Sequence, residues 1–322
     1  MPQPTASALH LDQALTDVSI AYRQRAEHFI ASQVFPVVSV KHQSDAYWSY
    51  DKEDWFRDEA KKRADATESA GSGYNVSSTT TYFAHVYAFH KDIGKQAQAN
   101  ADDNFNLESD ATEFVTQRML LRQEKLWTSS YFSSGIWATD DGSTAAWSDY
   151  TNGDPIGDLE TGKQTILQNT GFVPNTLVLG YGSHRAIKHH PDVVDRIKHT
   201  GGPGTDALQA FADIIGVERV LVAMSIENTA KEGVTASYGF SNASGDALLC
   251  YSAPSPGLLQ PSAGYSFSWN GISMGLGTDI AISRIPMDHL GTRTVRVEGE
   301  IAVDFKLVAD DLGYYFPNAS TF

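Results

Sequence analysis

His189-His190 is the nearest approach to a metal-ligand pair in this chain. Adjacent residues on a helix point about 100° apart, so two neighbouring imidazoles do not easily share one ion. Solvated histidines near a helix end are the plainer expectation. His85 and His90 lie on an expected strand and should face opposite sides of it. The single cysteine, Cys250, supplies neither a thiolate zinc cluster nor an intrachain disulfide. Adjacent carboxylates recur at Asp102-Asp103, Asp140-Asp141 and Asp310-Asp311. A general acid among them would need a desolvated partner, and pairs beside turns are ordinarily solvated. There is no P-loop and no H-E-x-x-H. Gly180-Tyr181-Gly182 stands between an expected strand and helix, as a dinucleotide-binding loop would. That fingerprint needs Gly or Ala three residues after its second glycine, and Arg185 occupies the place. The expectation is a turn, with no catalytic residue, cofactor or metal, and hence not an enzyme.

Those residues depend on a segment, 171–226, around which the chain is organised. Residues 176–179 are a short apolar run, expected to be a buried strand. Ser183 is expected to cap a helix through His190, with Ala186 and Ile187 inward. Pro191 opens another helix, where its missing N–H costs nothing. Gly201-Gly202-Pro203-Gly204 breaks the chain. Thr205 or Asp206 then caps a third helix, with Leu208, Phe211, Ala212 and Ile215 on one face and Gly216 at its end. Residues 217–226 return as a second strand, completing an α/β core.

Before that core, Leu11, Leu15, Val18, Tyr22 and Phe29 predict an amphipathic helix over 11–31. An extended arm containing Pro36 follows. Residues 45–92 read as one long excursion, with β-prone runs around Tyr47–Tyr50 and a strand at 83–89. Between them, residues 51–68 hold seven acidic and five basic side chains. One expectation for this stretch is a solvated helix or loop. The other is a hairpin that docks its charged tip on an identical copy, since each copy supplies both signs. Residues 104–132 predict a long helix of about 40 Å. Leu107, Ala111, Phe114, Val115, Met119 and Leu126 form its apolar stripe, and Asn106 or Ser109 its cap. Glu108, Glu113, Gln117, Glu124 and Lys125 occupy the remaining faces. Pro155 opens a helix through Asn169, with Gly162 a weak point in it. Towards the C-terminus Val295, Val297, Ile301, Val303, Phe305 and Leu307 alternate with polar residues, which predicts a long strand or hairpin arm.

With 322 residues, 41% hydrophobic and 20% charged, the composition is that of a globular chain. The net charge of −15 argues against a general nucleic-acid binder, which would show a basic stripe. The first residues lack the basic and apolar regions of a signal peptide. No apolar run approaches the ~20 residues that cross a bilayer, so no membrane partner is expected.

The order of these parts resembles one family. Residues 31–40 (ASQVFPVVSV), 50–57 (YDKEDWFR) and 110–114 (DATEF) with Glu124 resemble the major capsid proteins of tailed bacteriophages. Residues 211–220 (FADIIGVERV) resemble the central domain of the same family. The likeness runs from about residue 9 to 317. It implies an α+β chain with the Hong Kong ninety-seven phage capsid fold. Residues 1–40 would be the N-terminal arm and 41–95 the extended β-hairpin loop. Residues 96–173 would be the peripheral domain with its spine helix at 104–132. Residues 174–285 would be the α/β axial domain, and 286–322 C-terminal strands rejoining the peripheral domain.

The implied function is self-assembly into hexamers and pentamers of an icosahedral shell around double-stranded phage DNA, without tight or sequence-specific DNA binding. The implied setting is the virion capsid, and the host cytoplasm during assembly. Scaffold, portal and decoration proteins are the implied further partners. The arm begins almost at Met1, so a separate scaffold or an already mature chain is expected, and no covalent crosslink is identified. Asp51, Glu53, Asp54, Arg57, Lys61, Lys62 and Arg63 are the expected intersubunit contacts. The alternatives are an encapsulin-like nanocompartment shell and a soluble α/β enzyme.

Overall fold

The computed structural model describes residues 23–50, 52–101, 106–142, 145–200, 207–257, 259–271, 280–287, 289 and 294–321. Expectations for residues 11–22, Asp51, Asp102, Asp103, the 201–204 breaker and the Thr205 or Asp206 cap lie outside these. In chain order the elements are β1 (Val37–Val40), β2 (Ser44–Tyr50), α1 (Lys52–Trp55), β3 (Val76–Phe83), β4 (His85–Ile93), α2 (Lys95–Ala99), α3 (Leu107–Tyr131), β5 (Thr139–Asp140), α4 (Pro155–Thr170), β6 (Thr176–Gly180), α5 (Tyr181–His189), α6 (Pro191–Thr200), α7 (Ala207–Ile215), β7 (Arg219–Ala223), β8 (Ile226–Asn228), β9 (Tyr238–Phe240), β10 (Ala247–Cys250), β11 (Gly264–Trp269), β12 (Ala281–Met287), β13 (Thr294–Leu307) and β14 (Gly313–Phe316).

The alternating C-terminal run forms the long strand β13. It buries Val297, Gly299, Ile301, Val303 and Phe305. β4 and β12 run antiparallel to it, and β11 pairs with its C-terminal end. The helix α3 lies on this sheet. Its Asn106 side chain accepts the Ser109 N–H at 3.1 Å, as a cap should. Ala111, Val115 and Met119, spaced by four, are buried inward. The helix seats closely because β13 has no side chain at Gly299, where a Cβ would stand 2.6 Å from Val115 Cγ1. Two side chains depart from the expected stripe. Phe114 is 41% exposed, resting on Phe89 at 5.9 Å between ring centroids, while Met119 is 2% exposed. Glu124, expected on a polar face, is wholly buried.

A second sheet has the order β5-β14-β10-β6-β7, with β6 and β7 parallel and β10 antiparallel to β6 and β14. β6, β10 and β14 are buried throughout, as their unbroken apolar runs require. α4 starts at Pro155 behind an Asp154 cap and stops at Gly171, whose φ is +74°. Gly162 does not break it. A Cβ there would stand 3.2 Å from the Tyr314 and Phe316 rings, so the glycine lets the helix lie against β14. The two sheets do not divide the sequence at residue 285. β11 and β12 pair in the sheet of β13, whereas β14 returns to the sheet of β6. One continuous core joins them through Phe35, Trp127, Tyr131, Trp137 and Phe305.

Several local expectations need correction. Residues 23–31 do not continue a helix. They form one 3₁₀ turn, Ala26–His28, then irregular chain and the start of a further turn at 31–33, where the Ile30 and Ala31 amides bond to the distant Glu124. The expected strand at 83–89 is two strands that part at the buried Ala84. The strand expected over 217–226 likewise breaks between β7 and β8. Ser183 is no cap: the cap of α5 is Gly180, and Ser183 is fully buried.

Candidate intersubunit surface

The strongest candidate surface is the β2–β3 hairpin and the chain it carries. Ser44 pairs with Phe83 and Tyr50 with Val76, with the register shifting between Tyr47 and Ser49. The base is held by Tyr47 and Tyr82, which stack on Phe267 with centroids 5.7 and 4.5 Å away. Beyond the base the strands have little beneath them, and Trp48 is 62% exposed. At the far end Tyr50, Trp55 and Tyr74 gather with centroids 5.7 to 6.3 Å apart. Asp54 closes this end by accepting the Asn75 N–H at 2.9 Å.

Two contacts tie the connecting chain to the body. Lys52 pairs with Asp311, and the Phe56 ring lies over Gly171. Of the expected contact residues, Glu53, Asp54 and Arg57 come together within the chain. Arg57 pairs with Asp54 at 3.4 Å and, more loosely, with Glu53 at 4.0 Å. Lys61, Lys62 and Arg63 lie further along an exposed irregular stretch. Arg63 donates to the Thr67 carbonyl at 2.5 Å. Lys61 and Lys62 have no ion pair among the described residues. Asp51 lies outside the described residues.

Sequence reasoning missed a second surface. β8 and β9 form a small hairpin with Tyr238 76% exposed and Phe240 stacked on Tyr181 at 5.4 Å. Aromatic residues in a turn-rich segment without a core were the available signal. Sequence reading also passed over Gly271-Ile272-Ser273-Met274-Gly275, which has the G-x-S-x-G form. A nucleophile elbow needs a helix after its serine. Residues 272–279, which include Ser273, lie outside the described residues, and β12 begins at Ala281.

The chemical candidates take structural places. A Cβ at Gly180 would stand 2.4 Å from the Ser244 carbonyl oxygen, so these glycines admit a neighbouring loop rather than a phosphate. His189 is exposed, but His190 is buried, not solvated, with Nδ1 3.7 Å from Asp192. Asp140 accepts the Ser134 hydroxyl and the Gly135 N–H at 2.5 and 2.8 Å, and Asp311 holds Lys52. Burial pushes the Cys250 thiol up to about 12, which removes it as a nucleophile at neutral pH. Among the described residues no group of three or more His, Cys, Asp or Glu is placed to hold a metal ion. None of their helices is long and apolar enough to cross a membrane.

Comparison with known proteins places this architecture. No family model matches the chain. A cyanophage P-SCSP1u capsid structure superposes with TM-score 0.60 and 11% identity, covering 96% of this chain and 92% of that one. The chain has the phage major-capsid fold. A phage-related protein from Bordetella bronchiseptica shares the fold at TM-score 0.65 and 20% identity, covering 92% of this chain and 94% of that one. So does an encapsulin from Synechococcus elongatus, at TM-score 0.52 and 10% identity, covering 100% and 98%. In sequence, the major capsid protein of Burkholderia phage BcepMu is 25% identical over 233 residues, 71% of this chain and 74% of the relative. The phage major-capsid fold here thus comprises two interlocked sheets, a long helix on one of them and a projecting hairpin.

Proposed function

We propose that this chain is a structural major capsid protein that assembles with copies of itself into an icosahedral phage shell. The observation that carries this is the likeness to the BcepMu major capsid protein along most of both chains, joined to the capsid fold. In finer detail, the shell is built of hexamers and pentamers around double-stranded DNA. α3 acts as the spine of a peripheral region, the β6–β7 core as the axial region, and the β2–β3 hairpin as the arm laid on a neighbour. Glu53, Asp54, Arg57, Lys61, Lys62 and Arg63, with Asp51, contribute to that contact. Exposed charge of both signs at the hairpin supports the assignment. The role is non-enzymatic, in the virion capsid, reached by assembly in the host cytoplasm with scaffold and portal proteins.

Negative-stain microscopy of the expressed chain or of the source lysate tests this. Closed shells are the expected result. A small, monodisperse particle under all assembly conditions would overturn it. The encapsulin match favours a second reading, a compartment that holds enzyme cargo. Terminase and portal genes beside this one decide for the phage shell; an enzyme gene with packaged protein decides for the compartment.

A further inference from the structure

Glu124 lies in the second half of α3 and is fully buried, yet it has no ion-pair partner among the described residues. Its Oε2 accepts two backbone N–H groups, Ile30 and Ala31, each at 2.9 Å. Both belong to the N-terminal arm, more than ninety residues away in sequence. Its Oε1 is buried and makes no hydrogen bond of ordinary geometry. The Ser225 hydroxyl nevertheless lies close enough to act on this carboxyl, and Ser225 is itself bonded to Ser241. One carboxyl therefore joins three segments: the arm, the long helix and the turn between β7 and β8. The same junction contains Gln117 Nε2 donating to the Gln24 carbonyl at 2.8 Å and the Ile226 N–H donating to Gln24 Oε1 at 2.8 Å.

The two oxygens have unequal surroundings. Oε2 faces donors only, which suits a carbonyl or a carboxylate oxygen. Oε1 is buried without a hydrogen-bond partner among the described residues. A protonated carboxyl keeps the arm amides on Oε2 and leaves no charge on the unpartnered Oε1. An ionised carboxyl leaves a charge buried without a counter-ion, which burial disfavours.

We propose that Glu124 is a proton-operated latch for the N-terminal arm: the arm docks firmly when Glu124 is protonated and loosens when it is ionised. The inference does not depend on shell assembly, because every group involved belongs to one chain.

Charged neighbours do not supply the missing partner. On the arm, Arg23 pairs with Glu113 at 2.7 Å and Arg25 with Glu27 at 3.6 Å. After β7, Glu227 pairs with Lys125 at 2.5 Å. His28, half-buried on the arm, makes no ion pair with Glu124 among the described residues. Burial is the main influence on Glu124 and pushes it up to about 7, against the opposing effect of the Ala31 and Ile30 amides and the Ser225 hydroxyl. A fully hydrated glutamate carboxyl has the ordinary value of 4.5, and releasing the arm hydrates the group and moves it towards that value. The docked value is the higher one. The docking advantage is therefore fully present below about 4.5 and is lost as pH rises through about 7.

Amide hydrogen exchange at Ile30 and Ala31, corrected for intrinsic exchange rates, tests this on the full chain between pH 5.5 and 8. Protection greater at the acid end is expected, by at most about thirtyfold, the limit in which release hydrates the carboxyl fully. In Glu124→Gln, whose side-chain amide mimics the protonated carboxyl, protection should remain high and nearly independent of pH. His28→Asn should retain the wild-type pH dependence. Flat protection in the wild type, an unchanged slope in Glu124→Gln, or loss of the slope in His28→Asn would each overturn the latch. A carboxyl-carbon NMR titration of the wild type needs no variant. One glutamate with a midpoint near neutrality is expected, and the absence of any midpoint well above the ordinary glutamate range would also overturn the proposal.

Discussion

Arg296 and Asp92 face each other as register partners across β13 and β4, with Arg296 Nε and Nη2 placed 2.7 and 3.0 Å from the two oxygens of the Asp92 carboxylate. This two-pronged pair fixes the register of the ladder that supports α3. The Arg296 hydrogen bond is the main cause holding the Asp92 carboxyl below its ordinary value of 3.8. A lowered value in the folded chain means the stabilisation is present above pH 3.8 and disappears as pH falls through the folded value. Asp92→Asn should therefore be less stable than wild type at pH 7, with the gap closing under strong acid. Denaturant melts at both pH values check this, and a gap of equal size at both would refute the electrostatic account.

Burial separates two neighbours on α3. Met119 is enclosed, so Met119→Ala should cost about 2–5 kcal/mol. Phe114 keeps part of its ring in solvent and gains mainly from Phe89 and from Lys91 and Arg118, each 5.3 Å from its centroid. Phe114→Ala should cost about 1 kcal/mol, in the range of an aromatic pair. Equilibrium unfolding of both variants tests the ranking, and a larger loss at Phe114 would reverse the assignment of the buried face.

The contact proposed for the hairpin gives a way to separate folding from assembly. Reversing Arg57, Lys61, Lys62 and Arg63 to Glu removes the Arg57 pairs, and each exposed pair is worth only about 0–1 kcal/mol. The quadruple variant should melt with the wild type but fail to close shells, most clearly at low salt, where the added like charges are least screened. Calorimetry reads the fold and electron microscopy the assembly. Normal shells would show that the segment is only solvated, and an unfolded variant would place it in the subunit core.

The net charge of −15 bears on the proposed enclosure of DNA. Tight duplex binding needs neutralisation of phosphates by Lys or Arg. Isolated subunits should bind duplex DNA more weakly than about micromolar at physiological salt. Fluorescence anisotropy across a salt series measures this; sub-micromolar affinity with a steep salt slope would contradict an interior that lets DNA slide.

Local chemistry was legible along the chain because the deciding interactions are short-range. Asn106 caps α3, Pro155 opens α4, Gly216 ends α7 at φ +69°, and the period-two run from Val295 to Leu307 becomes β13. These depend on a residue and its near neighbours, as capping, proline geometry and strand alternation do. The mixed charge of the hairpin connection was legible for the same reason.

Only the tertiary structure decided which side of each element is inside. Phe114 and Val115 both lie on the apolar arc of α3. The absent side chain at Gly299, nearly two hundred positions away, is what lets Val115 approach the sheet. Glu124 has the sequence signature of a solvent-facing helix residue, and two arm amides arriving from a distant segment make it a buried acceptor. β14 leaves the sheet of β13 for that of β10, although the intervening chain is short. Strand pairing across such separations is fixed by the fit of whole faces, and no window of sequence contains both partners.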